Sequence, residues 1–137
     1  MNITSDALLT DLYELTMAQA YLAQGMTDIA VFEFFVRKLP PQRNFFMAAG
    51  LEQVLSYLEA FQFSDADIAW LDQTGGFRPA SLNALRAMRF TGEVHAMPEG
   101  SLFFPHEPIL RITAPLPQAQ LVETRVMNLL NFQTMVA

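Results

Sequence analysis

The chain of 137 residues contains no cysteine. That excludes a disulfide framework, a thiolate nucleophile and any cysteine-ligated zinc or iron–sulfur centre. Basic residues are scarce too: 8 Lys+Arg stand against 14 Asp+Glu, a formal charge of −6 with a pI of about 4.7. With so little positive charge there is no basic patch to meet phosphates, and a nucleic-acid partner is not expected. Lys38 is the single lysine. Residues 92–112 have some look of a lipoyl or biotinyl carrier, but such a carrier needs a lysine at a turn tip, and none stands there. The two histidines, His95 and His106, are eleven positions apart and lack metal-ligand spacing. His95 reads as a packed or edge residue of a strand, and His106 as a surface residue in a proline-flanked turn. Neither GxGxxG nor GxxxxGK[ST] nor GxSxG occurs, so no phosphate loop or nucleophile elbow is visible. No metal site is expected. No run nears the roughly 20 apolar residues of a membrane helix. The segment Met1–Thr16 lacks a basic start and an apolar centre and is acidic by Asp6, unlike a secretory leader. A cytoplasmic protein without a membrane partner is the expectation.

What is present is apolar. Hydrophobic residues make up 52%, with 12 Phe and 8 Met. The length suits one domain that buries roughly two-thirds of its unfolded surface. Leu8, Leu12, Leu15 and Leu22 fall on one face of a helix predicted over residues 6–24, with Asp11, Glu14 and Ala18 on another. Gly25 ends it. Ile29–Arg37 reads as a strand, apolar on both faces and so expected to be covered on both. A loop at residues 40–44 leads to a helix over 48–61, striped by Leu51, Val54, Leu55, Leu58 and Phe61. Ser64 is a natural N-cap for a short helix from Asp65 to Leu71. Gly75-Gly76 breaks the chain, and Pro79 or Ala80 opens a helix to Met88. Strands are predicted at Phe90–Met97, Ser101–Phe104 and Ile109–Thr113, separated by Pro-containing turns.

Pro117 opens the last helix, to Ala137. Val122, Val126 and Leu129 form its apolar stripe. Gln120, Thr124, Asn128, Asn131 and Thr134 form a second stripe, polar but uncharged. Amides and hydroxyls in a row suit either internal hydrogen bonding or a pocket wall. The helix ends on Met135-Val-Ala137 with no glycine, basic turn or polar tail, so it reads as cut within the helix. Tyr13 is singled out, off the leucine stripe between acids. Its residue type suits either the rim of a core or a ring that stacks on a heteroaromatic ligand.

The string Leu8-Leu-Thr-Asp-Leu-Tyr-Glu-Leu-Thr-Met17 closely resembles the opening of the nicotinate phosphoribosyltransferases. Collinear matches follow at Phe32-Glu-Phe-Phe-Val-Arg37, Ala49-Gly-Leu-Glu52, Phe90-Thr-Gly-Glu-Val94, Pro98-Glu-Gly-Ser-Leu102, Pro115-Leu-Pro-Gln-Ala-Gln-Leu-Val-Glu-Thr124 and Leu130-Asn-Phe-Gln-Thr134. The resemblance runs over essentially the whole chain.

It implies a fold class of α/β in the α+β sense: the mixed sheet-and-helix N-terminal domain of a type II phosphoribosyltransferase, residues 1–137, with the barrel domain absent. It implies an enzyme that joins nicotinate to phosphoribosyl pyrophosphate, giving nicotinate mononucleotide and pyrophosphate in NAD salvage. Turnover would be coupled to ATP, with magnesium, through a phosphorylated histidine, in a head-to-tail homodimer. Tyr13 maps onto the tyrosine that stacks on nicotinate. Asp11 and Thr16 beside it, and Asn131 and Thr134 on the polar stripe, are weaker candidates. The phospho-accepting histidine, the phosphoribosyl pyrophosphate loop and the carboxylate-binding arginine are expected downstream of Ala137, and neither His95 nor His106 is that histidine. No catalytic residue is therefore assigned within this chain, which is expected to bind no cofactor and to be inactive alone. A non-enzymatic interaction module and a subunit of a split enzyme remain the alternatives.

Overall fold

The computed structural model describes residues 6–137. The leader reading rests partly on residues 1–5, which lie outside the described part. The chain runs from a 3₁₀ turn at Asp6–Leu8 to helix α1 (Leu12–Ala23), strand β1 (Ile29–Phe34) and strand β2 (Phe46–Met47). Helices α2 (Leu51–Glu59), α3 (Asp65–Thr74) and α4 (Pro79–Ala87) follow. Then come β3 (Glu93–Ala96), β4 (Leu102–Phe103), β5 (Leu110–Pro115) and the long α5 (Leu116–Val136). β5 is the middle of a three-stranded sheet, with β1 and β3 on either side. Both ladders are antiparallel, pairing Phe32 with Ile112 and Val94 with Ile112. β2 and β4 form a separate antiparallel ribbon. All the pairings are antiparallel, so the mixed architecture is α+β.

The termini of the helices follow local chemistry. Ser64 Oγ accepts from Asp67 N while Asp67 Oδ2 accepts from Ser64 N, a reciprocal capping box that starts α3. Pro79 starts α4, where its missing N–H costs nothing. α2 is capped from a distance: Glu99, in the turn before β4, accepts from Gly50 N at 2.9 Å. Gly50 has φ +105°, and a Cβ there would lie 2.9 Å from the Leu129 carbonyl, so only glycine lets α2 start this close to α5. The Arg43 guanidinium donates to Met135 O, satisfying a carbonyl in the last turn of α5.

α5 is the spine. Its Leu121, Val122, Val126 and Leu130 are buried and join Leu15 and Ala18 of α1, Val54 and Leu58 of α2, and Ile112 of β5 in one core. A smaller core gathers Phe46, Ala48, Phe103 and Ile109, with the Phe46 and Phe103 rings stacked 5.2 Å apart. No helix among the described residues is long and apolar enough to cross a membrane.

Three expectations need correction. The first helix does not run unbroken from residue 6. The chain leaves helical geometry at Leu9–Asp11, where Asp11 takes an extended conformation as N-cap of α1. Thr10 and Asp11 spend their side chains on other elements instead, as short polar residues do at helix starts. The restart splits the leucine stripe: Leu12 is 66% exposed, whereas Leu15 is buried together with Glu14 and Ala18. Second, β1 is covered on one face only. Ile29 and Val31 are exposed, because no element among the described residues packs over the odd-numbered face of β1. Third, Leu55 of the α2 stripe is exposed, and Tyr57 is buried in its stead.

Candidate functional site

Tyr13 lies in the first turn of α1, 48% exposed. Its hydroxyl donates to Glu14 Oε1 at 3.4 Å. Partial burial raises the phenol pKa, and the charges of Glu123, Glu14 and Asp11 raise it further, so the ring carries a neutral hydroxyl.

Glu14 is fully buried. Its Oε1 accepts from the Thr124 hydroxyl at 2.7 Å and from Thr124 N at 3.2 Å, and Oε2 meets the Thr10 hydroxyl. Burial pushes its carboxyl up to about 7 against the lowering effect of the Thr124 bonds, with Glu123 and Asp11 adding repulsion. Asp11 is exposed and accepts from the Thr124 hydroxyl at 3.3 Å. Behind this group the partly buried Asp6 and Arg125 are paired at 2.7 Å. The buried Tyr57 hydroxyl has no hydrogen-bond partner among the described residues, and its pKa is raised chiefly by burial.

Tyr13 and Asp11 thus stand together, joined through Glu14 and Thr124. Thr16 is one turn on, but its hydroxyl donates to the Tyr13 carbonyl at 2.9 Å along the helix. The structure does not bring the other two candidates to Tyr13. Thr134 is buried and exchanges bonds with Ala49, accepting from its N–H at 3.3 Å and donating to its carbonyl at 3.2 Å. Asn131 is exposed on the wall of a cleft of about 650 Å³ between β1 and α5. Phe32, Phe34 and Ile112 line that cleft with Val126, and Arg37, Lys38 and Glu123 contribute charge. The polar stripe of α5 therefore serves two ends. Gln120, Thr124 and Thr134 satisfy internal hydrogen bonds, whereas Asn128 and Asn131 face the cleft.

Glu14 was not picked out by sequence reasoning. Its signal was small: it shares a helix face with the small Ala18. His95 and His106 are exposed on β3 and in a turn, with His106 at φ +68° and its ring 6.0 Å from Phe35.

The family model for the nicotinate phosphoribosyltransferase (NAPRTase) N-terminal domain matches residues 8–131. The chain belongs to the nicotinate phosphoribosyltransferase family. It is 52% identical over 131 residues to nicotinate phosphoribosyltransferase pncB2 of Mycobacterium tuberculosis, covering 96% of this chain and 28% of that protein. It is 42% identical over 132 residues to the nicotinate phosphoribosyltransferase of Bacillus subtilis, covering 96% and 27%. In structure it is similar to human nicotinic acid phosphoribosyltransferase, with a TM-score of 0.85 and 40% identity over 93% of this chain and 26% of that one. The chain thus spans little more than a quarter of the relatives it matches, and what it shares with them is the N-terminal domain. The cluster around Tyr13 lies at the opening of the matched segment.

Proposed function

We propose that the chain supplies the N-terminal domain of an enzyme that joins nicotinate to phosphoribosyl pyrophosphate in NAD salvage. In that reaction the pyridine nitrogen bonds to the anomeric carbon of the sugar as the carbon–oxygen bond to pyrophosphate breaks. The products are nicotinate mononucleotide and pyrophosphate. The protein's contribution is mainly positioning and charge stabilisation. Tyr13 is the residue of this chain assigned to it: the ring lies flat against nicotinate and fixes the plane of the pyridine. Family membership and the half-exposed Tyr13 support this reading, and that exposed tyrosine is the observation that carries it.

The whole enzyme is a homodimer in the cytoplasm, in which Tyr13 serves the neighbouring subunit's site, and the isolated chain is inactive. Exposed apolar side chains on β1 and α5, among them Val31, Met127 and Phe132, support a surface built to be covered by further protein. ATP and magnesium belong to the part of the enzyme outside this chain. The described residues do not fit them: no three His, Cys, Asp or Glu side chains are grouped to hold a cation, and no glycine-rich loop is present.

The test is steady-state kinetics of the complete enzyme with Tyr13 altered. Tyr13→Ala raises the nicotinate KM about tenfold or more, equivalent to about 1.4 kcal/mol. Tyr13→Phe keeps the stacking face and does less harm. Equal kinetics for Tyr13→Ala and the unaltered enzyme would remove the role.

A further inference from the structure

Glu14 is the one acid among the described residues that is fully buried, and no ion pair among them includes it. A buried carboxyl needs a partner for every lone pair and proton it keeps. Glu14 finds hydrogen-bond partners on three sides: Thr10 before α1, Tyr13 beside it and Thr124 on α5. We propose that Glu14 is the positioning residue for Tyr13, gathering Thr10, Tyr13 and Thr124 onto one carboxyl group and so fixing the start of α1 and the tyrosine ring against α5. The functional weight of this assignment rests on the reading of Tyr13 as the nicotinate contact.

The geometry also says which protonation state the cluster is built for. Thr10 Oγ1 lies against Glu14 Oε2 and 3.5 Å from the Leu121 carbonyl. With Glu14 neutral, its Oε2–H donates to Thr10, and Thr10 donates onward to Leu121. Oε1 still accepts from Thr124, so each hydrogen has an acceptor. With Glu14 ionised, Thr10 must turn its hydrogen to Oε2, and the Leu121 carbonyl loses that donor. Oε1 then becomes a stronger acceptor and draws the Tyr13 hydroxyl inward. Burial and the charges around the carboxyl favour the neutral form, against the two Thr124 bonds, which favour the charge. Asp11 and Tyr13 on α1 and Glu123 on α5 bring negative or neutral groups. The nearby cation, Arg125 on α5, is already engaged by Asp6. Tyr57 of α2 adds a neutral hydroxyl. Glu14 is therefore a neutral, hydrogen-bonding link at pH values below about 7, and gain of its charge is felt at Tyr13.

The test is a pH titration of the 137-residue chain by NMR, with glutamate labelled at the side-chain carboxyl carbon and tyrosine at the ring. Glu14 and Tyr13 are assigned through the backbone. The carboxyl carbon of Glu14 is expected to titrate with a midpoint near 7, and the Tyr13 ring resonance to inflect at the same midpoint. In Glu14→Gln, which keeps an acceptor for Thr124 and a donor for Thr10, the Tyr13 inflection disappears. In Asp11→Asn and Glu123→Gln it remains. A Glu14 midpoint in the ordinary carboxylate range, a Tyr13 ring blind to it, or an inflection that survives Glu14→Gln would each overturn the proposal. The wild-type titration decides even if a variant fails to fold. Coupling without any nicotinate effect of Tyr13→Ala would uphold the positioning and refute the stacking role; the reverse pattern would do the opposite.

Discussion

The buried Glu14 makes the stability of this chain depend on pH in a direction opposite to that of most carboxylates. Its pKa rises from the ordinary carboxylate value of 4.5 in the unfolded chain to about 7 in the folded one. Between these values the folded state holds a proton that the unfolded state has lost, so stability falls as pH rises through that window. Below about 4.5 the contribution is neutral, and above about 7 the full penalty applies. A shift of 2.5 units at about 1.4 kcal/mol per unit gives about 3 kcal/mol in total. Of this, about 2 kcal/mol develops between about pH 5.5 and about pH 8, a range that also keeps the chain clear of its acidic pI. Against a domain stability of roughly 5–15 kcal/mol that is a large fraction. Urea unfolding followed by far-ultraviolet circular dichroism at the two pH values measures it. The decisive quantity is the difference between the unaltered chain and Glu14→Gln. The amide cannot ionise, and the variant should lose about 2 kcal/mol less than the unaltered chain over the same interval. An identical pH dependence for both chains would refute the burial argument.

Three further outcomes follow from the packing and the caps. Ser64→Ala removes one half of the capping box and should cost about 1 kcal/mol in urea unfolding without changing its slope. Gly92→Ala should be worse, about 2 kcal/mol or more. An added Cβ would sit 2.5 Å from the Ala114 Cβ and 2.6 Å from the Thr113 carbonyl, both on the central strand, and thermal unfolding reads the loss. Phe103→Ala removes a fully buried ring from the smaller core and should cost about 3–5 kcal/mol, read the same way.

Much of the element order was legible because local chemistry determines it. Ser64 with Asp67 starts a helix wherever it is placed, Gly75-Gly76 cannot continue one, and Pro79 and Pro117 suit first turns. Burial was less legible, since it depends on neighbours that periodicity does not reveal. β1 carries apolar residues on both faces, yet only one face is covered among the described residues, which leaves Ile29 and Val31 exposed. β2 is two residues long and exists only because β4 pairs with it, so no pattern within Phe46-Met47 announces it. The break at Leu9–Asp11 escaped the leucine spacing because Thr10 bonds Glu14, and Thr124, 113 residues after Asp11, bonds its carboxylate. The site shows the same division. Tyr13 stood out by residue type and by the family string around it. Glu14, which holds its hydroxyl, looked like one more surface acid until α5 was seen to bury it.

Exchange of domains tests the central claim most directly. This chain replaces the N-terminal domain of nicotinate phosphoribosyltransferase pncB2 from Mycobacterium tuberculosis, to which it is 52% identical. The nicotinate-dependent release of pyrophosphate from phosphoribosyl pyrophosphate is then measured. The account predicts an active chimera whose nicotinate KM rises about tenfold or more on Tyr13→Ala and much less on Tyr13→Phe. A folded chimera that is inactive, or one indifferent to Tyr13→Ala, would contradict it.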